Sequence, residues 1–245
     1  LLRPLLNAFV ELLFPARCLG CGEQLGSHRP PLICETCRVG ISIIGQPCCP
    51  CCGVRSANHL CQTCLQHPFA FDQARALFVY QEPIRSLIHQ LKFDGSLAGV
   101  SSFAALAEEA DATALFHEPD LILPVPLHIR RLRWRGFNQS LLLAKTCFST
   151  WKEKIHPDLL QRHRATIPQT QLDGADRRSN LAGAFSLRDP EAVRDKRVLL
   201  VDDVFTTGST LRECAEILSK AGAGKIIAFT LARTAIFPYP CLQNK

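Results

Sequence analysis

Residues 198–210 read Val-Leu-Leu-Val-Asp-Asp-Val-Phe-Thr-Thr-Gly-Ser-Thr. An apolar run ends in paired carboxylates, Asp202 and Asp203, and a turn rich in Thr, Gly and Ser follows. Four successive apolar residues suit a strand buried on both faces of a parallel sheet. Open α/β sheets collect their ligands at the carboxyl ends of such strands. The turn opens a helix near Thr210, and Thr210 and Glu213 stand at capping-box spacing. That helix start offers backbone N–H groups and a partial positive charge, which suit an anion. Carboxylates beside an anion site make sense for a ligand with both hydroxyls and a phosphate. Asp202 and Asp203 would accept from ribose 2- and 3-hydroxyls while Thr206, Thr207, Gly208, Ser209 and Thr210 wrap a 5-phosphate. A strand ending in Asp, or a turn capping a helix, is commonplace alone; their order in one run points to a ribose phosphate.

A second chemical element runs from Pro124 to Gln139. Val125, Pro126 and Leu127 follow an apolar strand, and Arg130, Arg131, Arg133 and Arg135 fall within six residues. No Asp or Glu occurs between Leu121 and Lys152. Arginine offers planar, permanently charged, bidentate donors, as a diphosphate requires. The segment is read as a basic loop bent at two prolines, with a solvated basic turn as the plainer alternative. Trp134 and Phe137 could stack bases, so Arg130, Arg131, Arg133 and Trp134 are also candidates for single-stranded DNA. Packing of Trp134 against a neighbouring module competes with that reading. A third stretch, Arg162 to Leu172 and then Arg177 to Phe185, is polar, basic and without period. It reads as a cover over the site, with Arg164 and Arg177 as lid residues, or as an ordinary long loop.

Ten of the thirteen cysteines lie between Cys18 and Cys64. They form four Cys-x-x-Cys units: Cys18/Cys21, Cys34/Cys37, Cys49/Cys52 and Cys61/Cys64. Two such units complete a tetrahedral four-thiolate site, so four units predict two structural zinc ions. Gly22 and Gly53 follow the first and third units, as a knuckle turn needs. Sequential and interleaved pairing both remain open. Cys48/Cys51 is a competing register for the third unit; Gly53 favours Cys49/Cys52. An iron–sulfur cluster is the alternative that thiolates alone leave standing. Disulfides do not suit the context, because the apolar start carries only Arg3 as a basic residue and no cleavage pattern. Cys147 and Cys214 read as small buried hydrophobes.

The elements that must position these groups follow from periodicity. Leu5, Leu6, Phe9, Leu12 and Leu13 share one face of an N-terminal helix. Strands are expected over 71–80, 120–126, 184–187, 197–201 and 225–231, and helices over 82–93, 96–112, 137–151 and 210–221, the last closed by Gly222. Alternating strands and helices imply an α/β fold, a mainly parallel sheet with helices on both faces. A small cysteine-rich zinc-ribbon module precedes it, so the domains are 1–66 and 67–245. No apolar run is long enough to span a bilayer. The formal charge is +6, but eight thiolates around two Zn²⁺ remove four charges and leave about +2. Global charge is therefore weak evidence for nucleic acid.

The 198–210 run resembles the phosphoribosyl-diphosphate (PRPP) signature of the type I phosphoribosyltransferases. With it stand Phe14-Pro15-x-x-Cys18-x-x-Cys21-Gly22, Leu91-Lys92-Phe93, Pro124-Val125-Pro126-Leu127, Arg135-Gly136-Phe137-Asn138-Gln139, Pro168-Gln169-Thr170, Arg177-x-x-Asn180, Gly183-Ala184-Phe185 and Ala232-Arg233-Thr234. Together they make the chain similar, from Phe14 to Arg233, to the competence protein F (ComF) family. This GntX-like, amidophosphoribosyltransferase-like group has a double zinc ribbon before a phosphoribosyltransferase domain. The doubled Cys48-Cys49/Cys51-Cys52 departs from its pattern.

The resemblance implies a cytoplasmic bacterial protein of natural transformation that binds PRPP and single-stranded DNA, some members beside a helicase partner. It implies that Asp202 and Asp203 hold the ribose hydroxyls, directly or with Mg²⁺, as the catalytic pair. Thr206 to Thr210 would hold the 5-phosphate, and Val125, Pro126, Leu127 and Arg135 the diphosphate, with Mg²⁺ arriving on PRPP. Three functions follow: pentosyl transfer to an undetermined acceptor, single-strand binding, or a PRPP-sensing scaffold that docks a helicase through its zinc module.

Overall fold

The computed structural model describes residues 15–26, 30–57, 59–93, 97–164 and 183–235. The expected N-terminal helix through Leu13, the lid residue Arg177 and the Pro168-Gln169-Thr170 motif lie outside the described residues. A four-stranded parallel sheet organises the chain: β1 (Gln73–Val79), β2 (Leu121–Pro124), β5 (Arg197–Phe205) and β6 (Lys225–Arg233), in the order β1-β6-β5-β2. β5 and β6 are central and covered on both sides, which explains their unbroken apolar sequences.

Residue parity sorts the two cores. Leu199, Val201, Ile227 and Phe229 face a layer holding α3 (Ile84–Phe93), α4 (Leu97–Glu109) and α6 (Gln139–Cys147), through Leu87, Ile88, Leu91, Phe103 and Leu143. Val198, Leu200, Ile226 and Ala228 face α7 (Ser209–Lys220), through Leu211, Cys214 and Leu218. Helices therefore cover both faces, as expected. A separate antiparallel pair, β3 (Leu160–Arg162) and β4 (Phe185–Leu187), closes over the second core. Among the described residues no helix is long and apolar enough to cross a membrane.

Among its described residues the cysteine module contains two short helices, α1 (Glu35–Val39) and α2 (Gln62–Gln66). It lies along edge strand β1: Ala74 N–H donates to Cys51 at 2.6 Å, Val79 N–H to Ser42 at 2.8 Å, and Ile44 N–H to Leu77 at 2.8 Å. These bonds occupy backbone groups that an exposed edge would leave open. Cys18, Leu32 and Ile33 join the first core, and Cys49, Cys52 and Cys64 join the second.

Four expectations need correction. The basic stretch is not a loop: α5 (Ile129–Arg135) forms there, started by the His128 ring accepting from Arg130 N–H and ended at Gly136. The expected helix over 137–151 stops at Cys147, and Phe148 breaks it into a 3₁₀ segment, Ser149–Lys154. Phe148 instead packs wholly buried against Phe229, ring centroids 5.0 Å apart. The 184–187 strand pairs with β3 and does not extend the parallel sheet. Thr210 is not the N-cap of α7, because the helix starts at Ser209 with Gly208 as N-cap, and the Glu213 carboxylate is met by the Gly183 backbone.

Candidate ribose phosphate site

β5 continues past the apolar run to Phe205, so the two carboxylates sit within its last turns. Successive side chains alternate across a strand, and this separates the pair. Asp202 Oδ1 accepts from the Ser140 hydroxyl at 3.0 Å and from Asp203 N–H at 2.9 Å. Asp203 Oδ1 accepts from Val204 N–H at 2.8 Å, and its Oδ2 lies 2.6 Å from the Lys92 ammonium at the end of α3. Burial, reinforced by the Asp203 charge, pushes the Asp202 carboxyl up to about 7 despite the Ser140, backbone and Lys92 contacts. Burial works against the Lys92 charge, but Asp203 and then Asp202 outweigh it and hold the ammonium above its usual range.

The turn after β5 is built around Gly208. Its φ of +75° is left-handed, and a Cβ there would meet Phe205 at 2.7 Å and Phe69 at 2.9 Å. Only glycine fits both demands. Thr207 and Ser209 hydroxyls lie 2.8 Å apart, and Ser209 N–H reaches Thr207 Oγ1 at 3.4 Å. A helix that begins on a glycine gets no side-chain acceptor at its N-cap, and its first-turn N–H groups are those an anion would meet. Thr234 N–H donates to Phe205 at 3.0 Å and ties the turn to the end of β6.

The basic segment starts beside the acidic pair. Val125 N–H donates to Val201 at 2.9 Å, which continues the β2–β5 ladder to the acidic pair. Asn138 Nδ2 donates to the Val125 carbonyl at 3.1 Å while its Oδ1 caps α6 at Ser140 N–H, 3.0 Å away. Pro126 and Leu127 are half-buried between these anchors. Arg135 donates to Gln139 at 2.6 Å; its environment is dominated by burial, with Asp203 favouring its charge and Arg131 opposing it. Arg130, Arg133 and Trp134 are exposed on α5, Trp134 at 69%, and Arg131 is half-buried.

Arg164 is exposed just beyond β3. Arg162, read from sequence as part of the cover, belongs to β3: it lies over the Phe185 ring at 5.2 Å and feels Asp202 and Cys214. Lys92, Ser140 and Arg162 were not candidate site residues. Arg162 carried a signal only as a cation ending an apolar segment, too common to single out, and Lys92 stood only within the Leu91-Lys92-Phe93 motif of the family resemblance, with no role attached.

The cysteines group sequentially, as Cys18, Cys21, Cys34 and Cys37 and as Cys49, Cys52, Cys61 and Cys64, each set with its sulfurs within 4.8 Å of one another. Sulfurs of Cys21 and Cys34 lie 3.6 Å apart, those of Cys49 and Cys64 3.9 Å, and those of Cys52 and Cys61 3.6 Å. A tetrahedral ion with ~2.3 Å metal–sulfur bonds sets neighbouring sulfurs about 3.8 Å apart. The residues fit zinc. Burial raises the Cys18 and Cys49 thiols, yet backbone N–H donors outweigh it and bring them down to about 6 and about 7. The third unit is Cys49/Cys52, because Cys48 Sγ bonds Gln46 at 3.4 Å. Gly53 has φ +70°, and a Cβ on it would meet the Ala74 carbonyl at 2.6 Å.

Comparison with known proteins agrees with this architecture. A phosphoribosyl transferase domain model matches residues 143–236, and a double zinc ribbon domain model matches 9–65. The chain is 39% identical to the DNA utilization protein YhgH of Escherichia coli O157:H7 over 76% of this chain and 84% of that one. It is 36% identical to competence protein F of Haemophilus influenzae over 90% of this chain and 98% of that one. Competence protein ComFC of Bacillus subtilis is 26% identical over 82% and 84% of the two chains. The fold and site define a phosphoribosyltransferase domain behind a double zinc ribbon. The chain belongs to the competence protein F family.

Proposed function

We propose that this protein binds PRPP at the acidic pair and the Thr206–Thr210 turn, and that it serves the use of imported single-stranded DNA in the bacterial cytoplasm. The observation that carries the ligand is Asp202 and Asp203 near the carboxyl end of β5, which runs on through Phe205 into the Gly208 turn and α7. In this reading Asp202 and Asp203 accept from the ribose hydroxyls and the backbone of Thr206 to Thr210 holds the 5-phosphate. Val125, Pro126, Leu127 and Arg135 receive the diphosphate, with Arg164 and Arg177 closing over it. Mg²⁺ would travel with PRPP and neutralise the leaving diphosphate. Two zinc ions in the cysteine tetrads support the fold. The role in DNA use rests on relatives named for competence and DNA utilization.

Pentosyl transfer is tested by PRPP-dependent diphosphate release across an acceptor screen. Release that disappears in Asp202→Ala/Asp203→Ala supports an enzyme; PRPP binding with no release for any acceptor makes the domain a sensor.

A second reading treats the domain as a single-strand binder. It is favoured by Arg130, Arg131, Arg133 and exposed Trp134 on one short helix. Docking of a helicase through the zinc module fits the exposed apolar Val39, Ile43, Leu60 and Leu65 there. A pull-down of the helicase with a Val39→Ser/Ile43→Ser variant separates docking from single-strand binding.

A further inference from the structure

The acidic pair already has a cation in contact with it. Lys92 Nζ stands 2.6 Å from Asp203 Oδ2, with the two side chains 25% and 9% exposed. The Lys92 ion pair is the counter-charge of Asp203 Oδ2. Lys92 is held there by the fold: it ends α3, whose Ile84, Leu87, Ile88 and Leu91 are all buried in the first core. Arg135 and Arg162 stand close enough for Asp203 and Asp202, respectively, to favour their charges. Lys92 is the cation in direct contact with the pair, and the two arginines add positive charge farther off.

We propose that the Lys92 ammonium takes the place of a divalent cation at this acidic pair, so that the ribose 5-phosphate part of the ligand binds there without Mg²⁺. This rests on the PRPP reading and narrows it: Mg²⁺ serves the diphosphate and not the carboxylates. Mg²⁺ demands octahedral oxygen ligands and sheds water reluctantly. On Asp203 it would meet an ammonium already within contact distance, with like-charge repulsion in a poorly solvated site. An ammonium needs no such shell. It leaves Asp203 Oδ1 and Asp202 Oδ2 as acceptors for hydroxyls and keeps the carboxylates from repelling a phosphate ligand.

The test is calorimetric titration of the zinc-loaded full chain with ribose 5-phosphate, which lacks the diphosphate, and separately with PRPP. Buffers are freed of divalent cations on a chelating resin, so that the cysteine sites keep their metal, and compared with buffers containing added MgCl₂. Wild-type affinity for ribose 5-phosphate is expected to agree within about threefold between the two. Lys92→Met is expected to lose about tenfold or more without Mg²⁺ and to regain it with Mg²⁺, while Lys92→Arg behaves as wild type. Wild-type binding of ribose 5-phosphate that requires Mg²⁺ overturns the proposal, and this arm decides even where Lys92→Met folds poorly. Undiminished Mg²⁺-free binding by folded Lys92→Met, or a loss Mg²⁺ does not restore, overturns it too. Those results leave PRPP binding standing. Failure of wild type to bind either ligand in any buffer removes the PRPP reading itself, and this proposal with it.

Discussion

Arg233, the last residue of β6, donates from its buried guanidinium to the backbone carbonyl of Cys52 in the second cysteine tetrad. The same guanidinium lies 4.7 Å from the centre of the Phe205 ring, which in turn packs against Gly208. Phe69 completes the link, at 5.8 Å from Phe205 and under Arg212 at 4.3 Å, while Arg212 holds the Pro68 carbonyl at 2.6 Å. The second cysteine tetrad and the Gly208 turn thus share a wall. Arg233→Met leaves the Cys52 carbonyl without this donor and should cost about 3 kcal/mol of stability. Denaturant unfolding measures that cost, and a chelator time course should show one of two zinc ions leaving faster. Unchanged stability and metal retention would mean that the contact is incidental.

Gly208→Ala puts a Cβ into Phe205 and Phe69 at a left-handed φ. The backbone strain alone is about 1–2 kcal/mol, and the clash moves the turn that would hold the phosphate. PRPP affinity should fall by more than tenfold, or over about 1.4 kcal/mol, while the zinc content stays at two. Wild-type PRPP affinity in Gly208→Ala would place the phosphate elsewhere.

Asp202 ionises near 3.8 in an unfolded chain and near 7 in the fold. The folded state therefore holds an extra proton across that window, so its contribution to stability falls as pH rises from about 4 to 7. Above about 7 the ionised, buried carboxylate carries the whole penalty, about 4 kcal/mol. Asp202→Asn should flatten that slope and stabilise the ligand-free protein at pH 8, read from unfolding curves at several pH values. Ribose hydroxyls donate to the ionised form, so PRPP binding near pH 6 should release a proton, seen by calorimetry in buffers of different ionisation enthalpy. Equal heats in all buffers would contradict this.

Single-strand binding, if α5 carries it, depends on phosphate neutralisation and one stacking ring. Replacing Arg131 and Arg133 by Gln should lower the slope of log K against log salt by about 1.4, and Trp134→Ala should cost about 1–3 kcal/mol with little change in slope. Fluorescence titrations with an oligonucleotide at several salt concentrations measure both. An unaltered slope would take α5 out of the nucleic-acid account.

Much of this site is written locally. Val198 to Val201 announce a doubly covered strand because both of its faces meet apolar layers, and the Cys-x-x-Cys spacing announces each knuckle because two thiolates must share one ion. The choice of Cys49 over Cys48 is also local, since Gly53 must take a left-handed turn against Ala74. Lys92 and Arg162 are not legible in this way. Their roles come from tertiary placement, at the end of α3 and in β3, far along the chain from the carboxylates they face. The basic helix α5 was hidden for another reason: its arginines mask any apolar period, and its ends depend on His128 and Gly136. Phe148 breaks the next helix to fill the space against Phe229, a packing demand that no helical period records.

The most direct measurement is titration of the zinc-loaded full chain with PRPP and MgCl₂, beside an Asp202→Asn/Asp203→Asn variant whose fold is verified by its melting curve. Saturable binding at one site per chain in the wild type, lost by at least about a hundredfold in the variant, is expected from carboxylates that accept the ribose hydroxyls. Absence of binding in the wild type, or equal binding in the variant, would contradict the assignment of Asp202, Asp203 and the Gly208 turn as a ribose phosphate site.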